Sequence, residues 1–316
     1  MESLGHNWAN RIGVVIVAFN SAAVIGRALS SLPAGVQVVV VDNASTDGSA
    51  DIAAATDAFC LKNRKNLGFG RASNQGAAYC AREFILFLNP DAMLTAGALH
   101  RMLATAVRNP EAAAVGPRLI DETGRATWRF ASILHPMPRR REAAPVEPEG
   151  ACCIPLLTGA ALLCRAEAFR KVGGFDENIF LYHEDDDLSL RFTRAGYSLI
   201  YEPAARVVHE FGRSSEATPA MVRFKAAQRL LSQAYICGQY GLPFDCRRET
   251  RRALKRLLIA GIISDRDRRS AALGRLDALR EIRARWTLPV LAGAPLDASG
   301  RNLIGPPHPF DRAGHV

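Results

Sequence analysis

IGVVIVAFNSAAVIGRALSSLPAGVQVVVVDNASTDGS, residues 12–49, is the stretch from which the fold class follows. Residues 12–19 form a continuous, largely β-branched run, the pattern of a strand buried on both faces. Asn20 and Ser21 come next, and either suits the cap of the helix predicted over 22–32. Residues 36–41 repeat the strand pattern. The polar turn 42–48 then leads to a second helix over 49–55. Outward from here, 69–82 reads as a third helix and 84–88 (FILFL) as a third strand. Strands alternating with helices imply an α/β fold with a mostly parallel sheet and right-handed crossovers. Such sheets bind ligands beyond the carboxyl ends of their strands. The informative residues are therefore Asn20, Asp42 and the Asn89-Pro90-Asp91 string.

The rest of the chain is mixed at first. A helix is expected over 97–107, a mobile loop rich in Pro, Arg and Glu over 136–150, and a strand over 156–164. A short helix over 166–172 should stop at Gly173-Gly174. A further helix over 187–195 follows Glu184, and two short strands are expected at 198–201 and 205–208. From Pro219 the pattern is helical, over 221–239, 247–263 and 271–286, before a proline-rich tail that wraps or frays. The expected division is an α/β domain over 1–215 and a basic helical extension over 216–316.

With 316 residues, 48% of them apolar and 22% charged, the chain has the make-up of a globular protein and excludes wholesale disorder. No apolar run approaches the ~20 residues of a membrane-spanning helix. The opening MESLGHNWAN lacks the basic and apolar regions of an export signal. The seven cysteines form no C-x-x-C pair. Together these point to a reduced, cytoplasmic setting. The net charge of +9 is concentrated: residues 1–219 hold 22 Lys and Arg against 23 Asp and Glu, while 220–316 hold 18 against 8. A solvated arginine-rich face accounts for this. So does contact with an anionic membrane at the inner leaflet, because Arg247, Arg248, Arg251, Arg252, Lys255 and Arg256 precede the apolar LLIAGII. Nucleic acid is the weakest partner, since no reader motif or aromatic-basic platform is present.

Several strand-end residues carry chemistry of their own. A carboxylate at Asp42 suits a nucleobase N–H or a ribose hydroxyl, and equally suits a turn. Gly68 and Gly70, ahead of a helix with Arg71 and Asn74, let the backbone approach a phosphate; a plain turn is the alternative. Glu184-Asp185-Asp186-Asp187 places four mutually repelling carboxylates side by side, tolerable at a helix N-terminus, with Asp187 spaced to pair Arg191. Gly173-Gly174 gives a hinged turn just ahead of Asp176 and Tyr182. Trp128 and Arg129 suit a sugar platform, or in the case of Trp128 a core position.

Six strings in order then resemble the family 2 inverting glycosyltransferases of the GT-A fold, in their bacterial rhamnosyltransferase-like branch. They are VVIVAFN (14–20), VVDNASTDGS (40–49), NLGFGRASNQG (66–76), LFLNPDAML (86–94), TGAALLCRAEAFRKVGGFDENIFLYHEDDDLSLRFTRAGY (158–197) and VVHEFGRS (207–214). The resemblance implies a nucleotide-diphosphate sugar donor, dTDP-rhamnose or a UDP-sugar, and a glycan or lipid-linked acceptor. It assigns Asn20, Asp42, Arg71, Asn74, Asn89 and Asp91 to the donor, and Asp176 and Asp187 to the acceptor. Asp185 would be the general base with Glu184 in support. Asp91 and His209 would hold a divalent cation, Mg²⁺ or Mn²⁺. Relatives usually carry Asp-x-Asp where this chain has Asn89-Pro90-Asp91, so one carboxylate of the usual metal site is replaced. Two rivals are a nucleotidyltransferase of similar fold and a non-catalytic glycan- or nucleotide-binding module; the intact 184–188 acids argue against both.

Overall fold

Seven consecutive buried residues make Ile12–Ala18 (β1) an interior strand. It pairs in parallel with Gln37–Asp42 (β2), Ala18 opposite Asp42, and with Phe84–Leu88 (β4), Ile16 opposite Leu88. Their carboxyl ends therefore share one edge. The computed structural model describes residues 5, 7–127, 131–136, 146–210, 214 and 218–285. Trp128, Arg129, most of the 136–150 stretch and the tail beyond Pro289 lie outside the described residues.

Sequence patterning misses several strands. Phe59–Lys62 (β3) is a half-exposed edge strand parallel to β2, too short and too mixed to show an apolar run. Ala92–Leu94 (β5), Ala112–Ile120 (β6), Ala126–Thr127 (β7) and Cys152–Cys153 (β8) were also unmarked. Ala161–Arg165 (β9) runs antiparallel to both β4 and β6. The two short strands expected near residue 200 are one, Ser198–His209 (β10), parallel to β6. Its register slips between Glu202 and Arg206, where Glu202 accepts from Thr105 Oγ1 at 2.6 Å and from the Ala204 amide at 3.0 Å. That bulge breaks the alternation and explains the reading of two strands. Among the described residues the sheet order is β3-β2-β1-β4-β9-β6-β10-β5, with β7 on β6 and β8 on β10.

Helices cover both faces, as the uninterrupted apolar strands require. Ile12, Val14, Ile16 and Ala18 face one core with Ile25 of Ala22–Ser30 (α1), Ala53 of Ser49–Ala54 (α2) and Met102 and Leu103 of Ala98–Arg108 (α4). Val15 and Val17 face the other, with Ala72 of Phe69–Ala78 (α3), Phe169 of Ala166–Lys171 (α5) and Phe192 of Glu184–Arg194 (α6). α6 starts at Glu184, three residues before the expected start, so all four acids lie inside its first turn.

The chain divides into two compact units, Met1–Asp176 with Glu184–Glu216, and Glu177–His183 with Ala217–Val316. The second holds Pro219–Gln239 (α7), Cys246–Ile262 (α8) and Arg266–Arg285 (α9). Thr218 Oγ1 caps α7 through the Met221 amide at 3.2 Å, and Asp245 caps α8 through the Arg248 amide at 2.9 Å. Leu230, Ala234, Ala253, Leu279 and Ile282 form its core. α7 and α9 approach closely, because a Cβ on Gly274 would stand 2.0 Å from the Arg223 carbonyl oxygen. No helix among the described residues is long and apolar enough to cross a membrane.

Candidate active site

Three groups of polar residues meet the carboxyl edge of the sheet. The first is Asp42, buried at the end of β2. Its Oδ2 accepts from the Ser45 amide at 3.2 Å, while its Oδ1 is buried without a hydrogen bond. A buried acceptor left in this state is costly unless a ligand supplies a donor. Asn20 stands beside it in the left-handed region (φ 50°), which Asn tolerates better than most residues. Its Oδ1 accepts from the Thr46 amide at 2.8 Å, and its own amide donates to Ser45 Oγ at 3.0 Å. Asn20 thus shapes the loop around Asp42.

Asn43, which sequence reading passed over, organises this corner. Its Oδ1 accepts from Asn63 Nδ2 at 3.1 Å and the Leu67 amide at 3.0 Å. Its Nδ2 donates to Asn66 Oδ1 at 2.7 Å and the Gly68 carbonyl at 3.2 Å. The loop into α3 is thereby tied to the end of β2. Gly68 supplies the required positive φ of 85° at the cap, and Arg71 is exposed in the first turn of α3. Asn74, on α3, bonds Phe175 at both ends of its side-chain amide. Its Oδ1 accepts from the Phe175 amide and its Nδ2 donates to the Phe175 carbonyl, both at 2.9 Å. It ties α3 to the 173–176 turn, next to the buried Asp176.

The second group follows β4. His209 ends β10 opposite Ala92 of β5, a register that sets its ring against the Asn89-Pro90-Asp91 turn. His209 Nε2 lies 3.3 Å from Asp91 Oδ1 and 3.4 Å from Asn89 Nδ2. Asp91 is buried, and its Oδ2 accepts from Ser214 Oγ at 3.0 Å. Burial works to raise the Asp91 pKa; the His209 ring and the Ser214 hydroxyl outweigh it and hold the carboxyl below its usual range. An oxygen donor beside an imidazole, with Asp91 Oδ1 buried and not hydrogen-bonded, fits Mn²⁺ well and Mg²⁺ acceptably. No cluster of three or more His, Cys, Asp or Glu able to hold a metal occurs among the described residues. A cation here would therefore draw most of its shell from diphosphate oxygens and water.

The third group is the first turn of α6. Asp185 Oδ2 accepts from the Gly159 amide at 3.1 Å and its Oδ1 from the Asp186 amide at 2.9 Å. The next residue, Ala160, accepts from the Asn89 amide at 2.9 Å. Two adjacent residues, Gly159 and Ala160, thus connect Asp185 to the Asp91 turn. Glu184 is buried alongside. Asp187 Oδ2 takes Arg191 Nε at 2.8 Å and Nη2 at 2.6 Å, and Arg191 Nη1 donates to the Val172 carbonyl at 2.7 Å. Both side chains are 1% exposed. This fully buried ion pair makes Asp187 a brace between α6 and the end of α5. Tyr182 lies in the second compact unit.

The model of the glycosyl transferase family 2 matches residues 13–173, which span β1 to the turn after α5. The chain belongs to glycosyl transferase family 2. It is 30% identical over 241 residues to an N-acetylglucosaminyl-diphospho-decaprenol L-rhamnosyltransferase of Mycobacterium tuberculosis, covering 66% of this chain and 78% of that relative. It is 45% identical over 51 residues to rhamnosyltransferase WbbL of Escherichia coli, 16% of this chain and 19% of WbbL. This family 2 glycosyltransferase is rhamnosyltransferase-like in these comparisons. Its fold is similar to that of GalNAc-T7, solved with UDP, GalNAc and Mn²⁺, at a TM-score of 0.50 and 16% identity. That match covers 63% of this chain and 42% of GalNAc-T7.

Proposed function

We propose that this glycosyltransferase moves a sugar, with inversion, from a nucleoside-diphosphate donor to a hydroxyl of a glycan or lipid-linked acceptor. The rhamnosyl-transferring relatives favour dTDP-rhamnose, with a UDP-sugar as the other candidate. The observation that carries the reading is the edge itself: Asp42 with its unbonded Oδ1, the Asp91–His209 pair, and Asp185 linked to the Asn89–Asp91 turn through Gly159 and Ala160. Asp42 would accept from the pyrimidine or ribose. Asp91 and His209 would hold the divalent cation, which when bound neutralises the departing diphosphate. Arg71, at the N-terminal turn of α3, would add positive charge on the same group.

Asp185 would take the proton from the acceptor hydroxyl as its oxygen attacks the anomeric carbon. The bond from that carbon to the diphosphate oxygen breaks on the opposite face, and the configuration inverts. The Gly159 and Asp186 amides orient the Asp185 carboxylate.

The test pairs binding with turnover. A thermal-shift panel of dTDP, UDP, GDP, CMP and ATP, each with and without Mn²⁺ or Mg²⁺, should give a metal-dependent rise with dTDP or UDP alone. A ligand at ~100 times its dissociation constant stabilises by about 2.7 kcal/mol. Asp185→Asn should keep that rise and lose about 10²–10⁴-fold in kcat. Full activity in Asp185→Asn removes it as base. A folded chain that no nucleotide stabilises supports the non-catalytic module instead.

A further inference from the structure

α8 carries an apolar surface that the described residues of its own unit leave uncovered. Its inner side, through Ala253 and Ala260, packs into the helical core. Its outer side is divided along its length. Leu254, Leu258 and Ile262 form one i, i+4, i+8 row, and Arg247, Arg251 and Lys255 form the row beside it, continued by Ile259. Leu258 is 70% exposed and Ile262 is 82% exposed. The apolar row runs off the end of the helix into Ile263, itself exposed, at the turn towards α9. The N-terminal half of this side is therefore basic and the C-terminal half is apolar. Around the turn stand Arg256, Arg266, Arg268 and Arg269 against only Asp265 and Asp267, and Asp265 is already paired with Arg268 at 3.1 Å.

We infer that the α8–α9 turn is a docking tip for an anionic lipid surface, with Leu258, Ile262 and Ile263 entering the acyl boundary and the neighbouring arginines lying among the headgroups. An apolar end ringed by guanidinium groups matches such a surface in both polarity and sign. A second copy of the chain fits worse. A two-fold axis along α8 sets each basic half against its copy, and one across α8 presses the basic half onto the apolar half; like charge opposes the first and the desolvation of charge on apolar surface opposes the second. The inference rests on the helical unit alone and stands whichever sugar nucleotide the first unit binds.

The test is co-sedimentation of the full chain with vesicles of phosphatidylcholine, and with the same vesicles doped with phosphatidylglycerol. Binding should require the anionic lipid and weaken with salt. Arg251→Gln with Lys255→Gln should lower the partition coefficient about 30-fold, each base contributing about a factor of five. Leu258→Ser with Ile262→Ser should lower it by at least ~10-fold. These side chains face solvent, so the fold is retained, and the nucleotide thermal shift of the variants serves as the control. Three outcomes overturn the inference: no binding to anionic vesicles; binding that ignores the Leu258 and Ile262 changes, which marks a general polyanion patch; or a dimer on sizing that those changes dissolve, which marks the face as self-associating. A chain that binds vesicles but no nucleotide fails the functional reading and leaves this one intact.

Discussion

At the scale of single residues, the site depends on amides as much as on acids. Asn43 makes four side-chain hydrogen bonds from a buried position, and they fix where the 63–68 loop delivers Gly68 and the start of α3. Asn43→Ala would strand several buried partners at once, so we expect a loss of about 2–3 kcal/mol in urea unfolding. Nucleotide affinity should fall with it, because the loop proposed to face the diphosphate loses its anchor. Stability unchanged within 0.5 kcal/mol, about the size of an ordinary surface change, would mean that the loop is held by other contacts. The acids were visible in the sequence because a strand-end carboxylate or four acids in a row is unusual anywhere. Asn43 was not, since one amide within a polar turn looks like turn chemistry. Its role comes from partners about 20 positions away. Asn74 and Asp187 likewise have partners that their strings do not reveal: both ends of the Asn74 amide hold Phe175, and Asp187 grips Arg191.

At the scale of elements, apolar periodicity located what is buried and missed what is exposed or interrupted. β1, β2 and β4 are uniform apolar runs and were found within a residue or two. β3 escaped because an edge strand need not be apolar, and β10 was split by its own bulge at Glu202. Helix caps were also supplied from a distance. Ser21, at the cap position of α1, makes no side-chain cap bond. Instead Asp47 Oδ2 accepts from the Ala22 amide at 2.8 Å, and its Oδ1 takes the Ser49 amide at 3.0 Å and the Ser49 hydroxyl at 2.5 Å. Burial works to raise the Asp47 pKa, but the Ser49 hydroxyl and these amides outweigh it, so the carboxyl lies below its usual range. A carboxyl depressed in the folded state stabilises fully above its unfolded pKa of about 3.9 and loses that contribution as pH falls through the folded value. Asp47→Ala should therefore cost about 1 kcal/mol at neutral pH. That gap should narrow as pH falls below 4, read from urea midpoints across the pH range in which both proteins stay folded. A gap independent of pH would assign the loss to the cap's geometry alone.

At the scale of the whole molecule, the two units interleave along the chain. One division falls between Glu216 and Ala217, and Glu177–His183 belongs with the C-terminal helices. Within that unit, Ser232 Oγ donates to the Leu181 carbonyl at 2.9 Å, Phe180 meets the Phe224 ring edge-on at 5.8 Å, and Arg229 covers the Tyr182 ring at 4.2 Å. Tyr182 and His183 both adopt positive φ, 70° and 69°, which non-glycine residues hold only under constraint. The next residue is Glu184, where α6 and its acids begin. Strain held immediately before this helix, which carries the proposed base Asp185, needs its surroundings to persist. We therefore expect a chain ending at residue 215 to keep the metal-dependent nucleotide shift through Asp42 and Asp91, yet lose turnover far more than binding, as 177–183 relaxes and Asp185 loses its position. Ser232→Ala, which removes one of those restraints without removing a helix, should lower kcat several-fold and leave the nucleotide shift unchanged. Equal turnover in the shortened chain would show that α6 is positioned from within the first unit alone, through the Gly159 and Arg191 contacts. The helical extension would then have its role away from the chemistry.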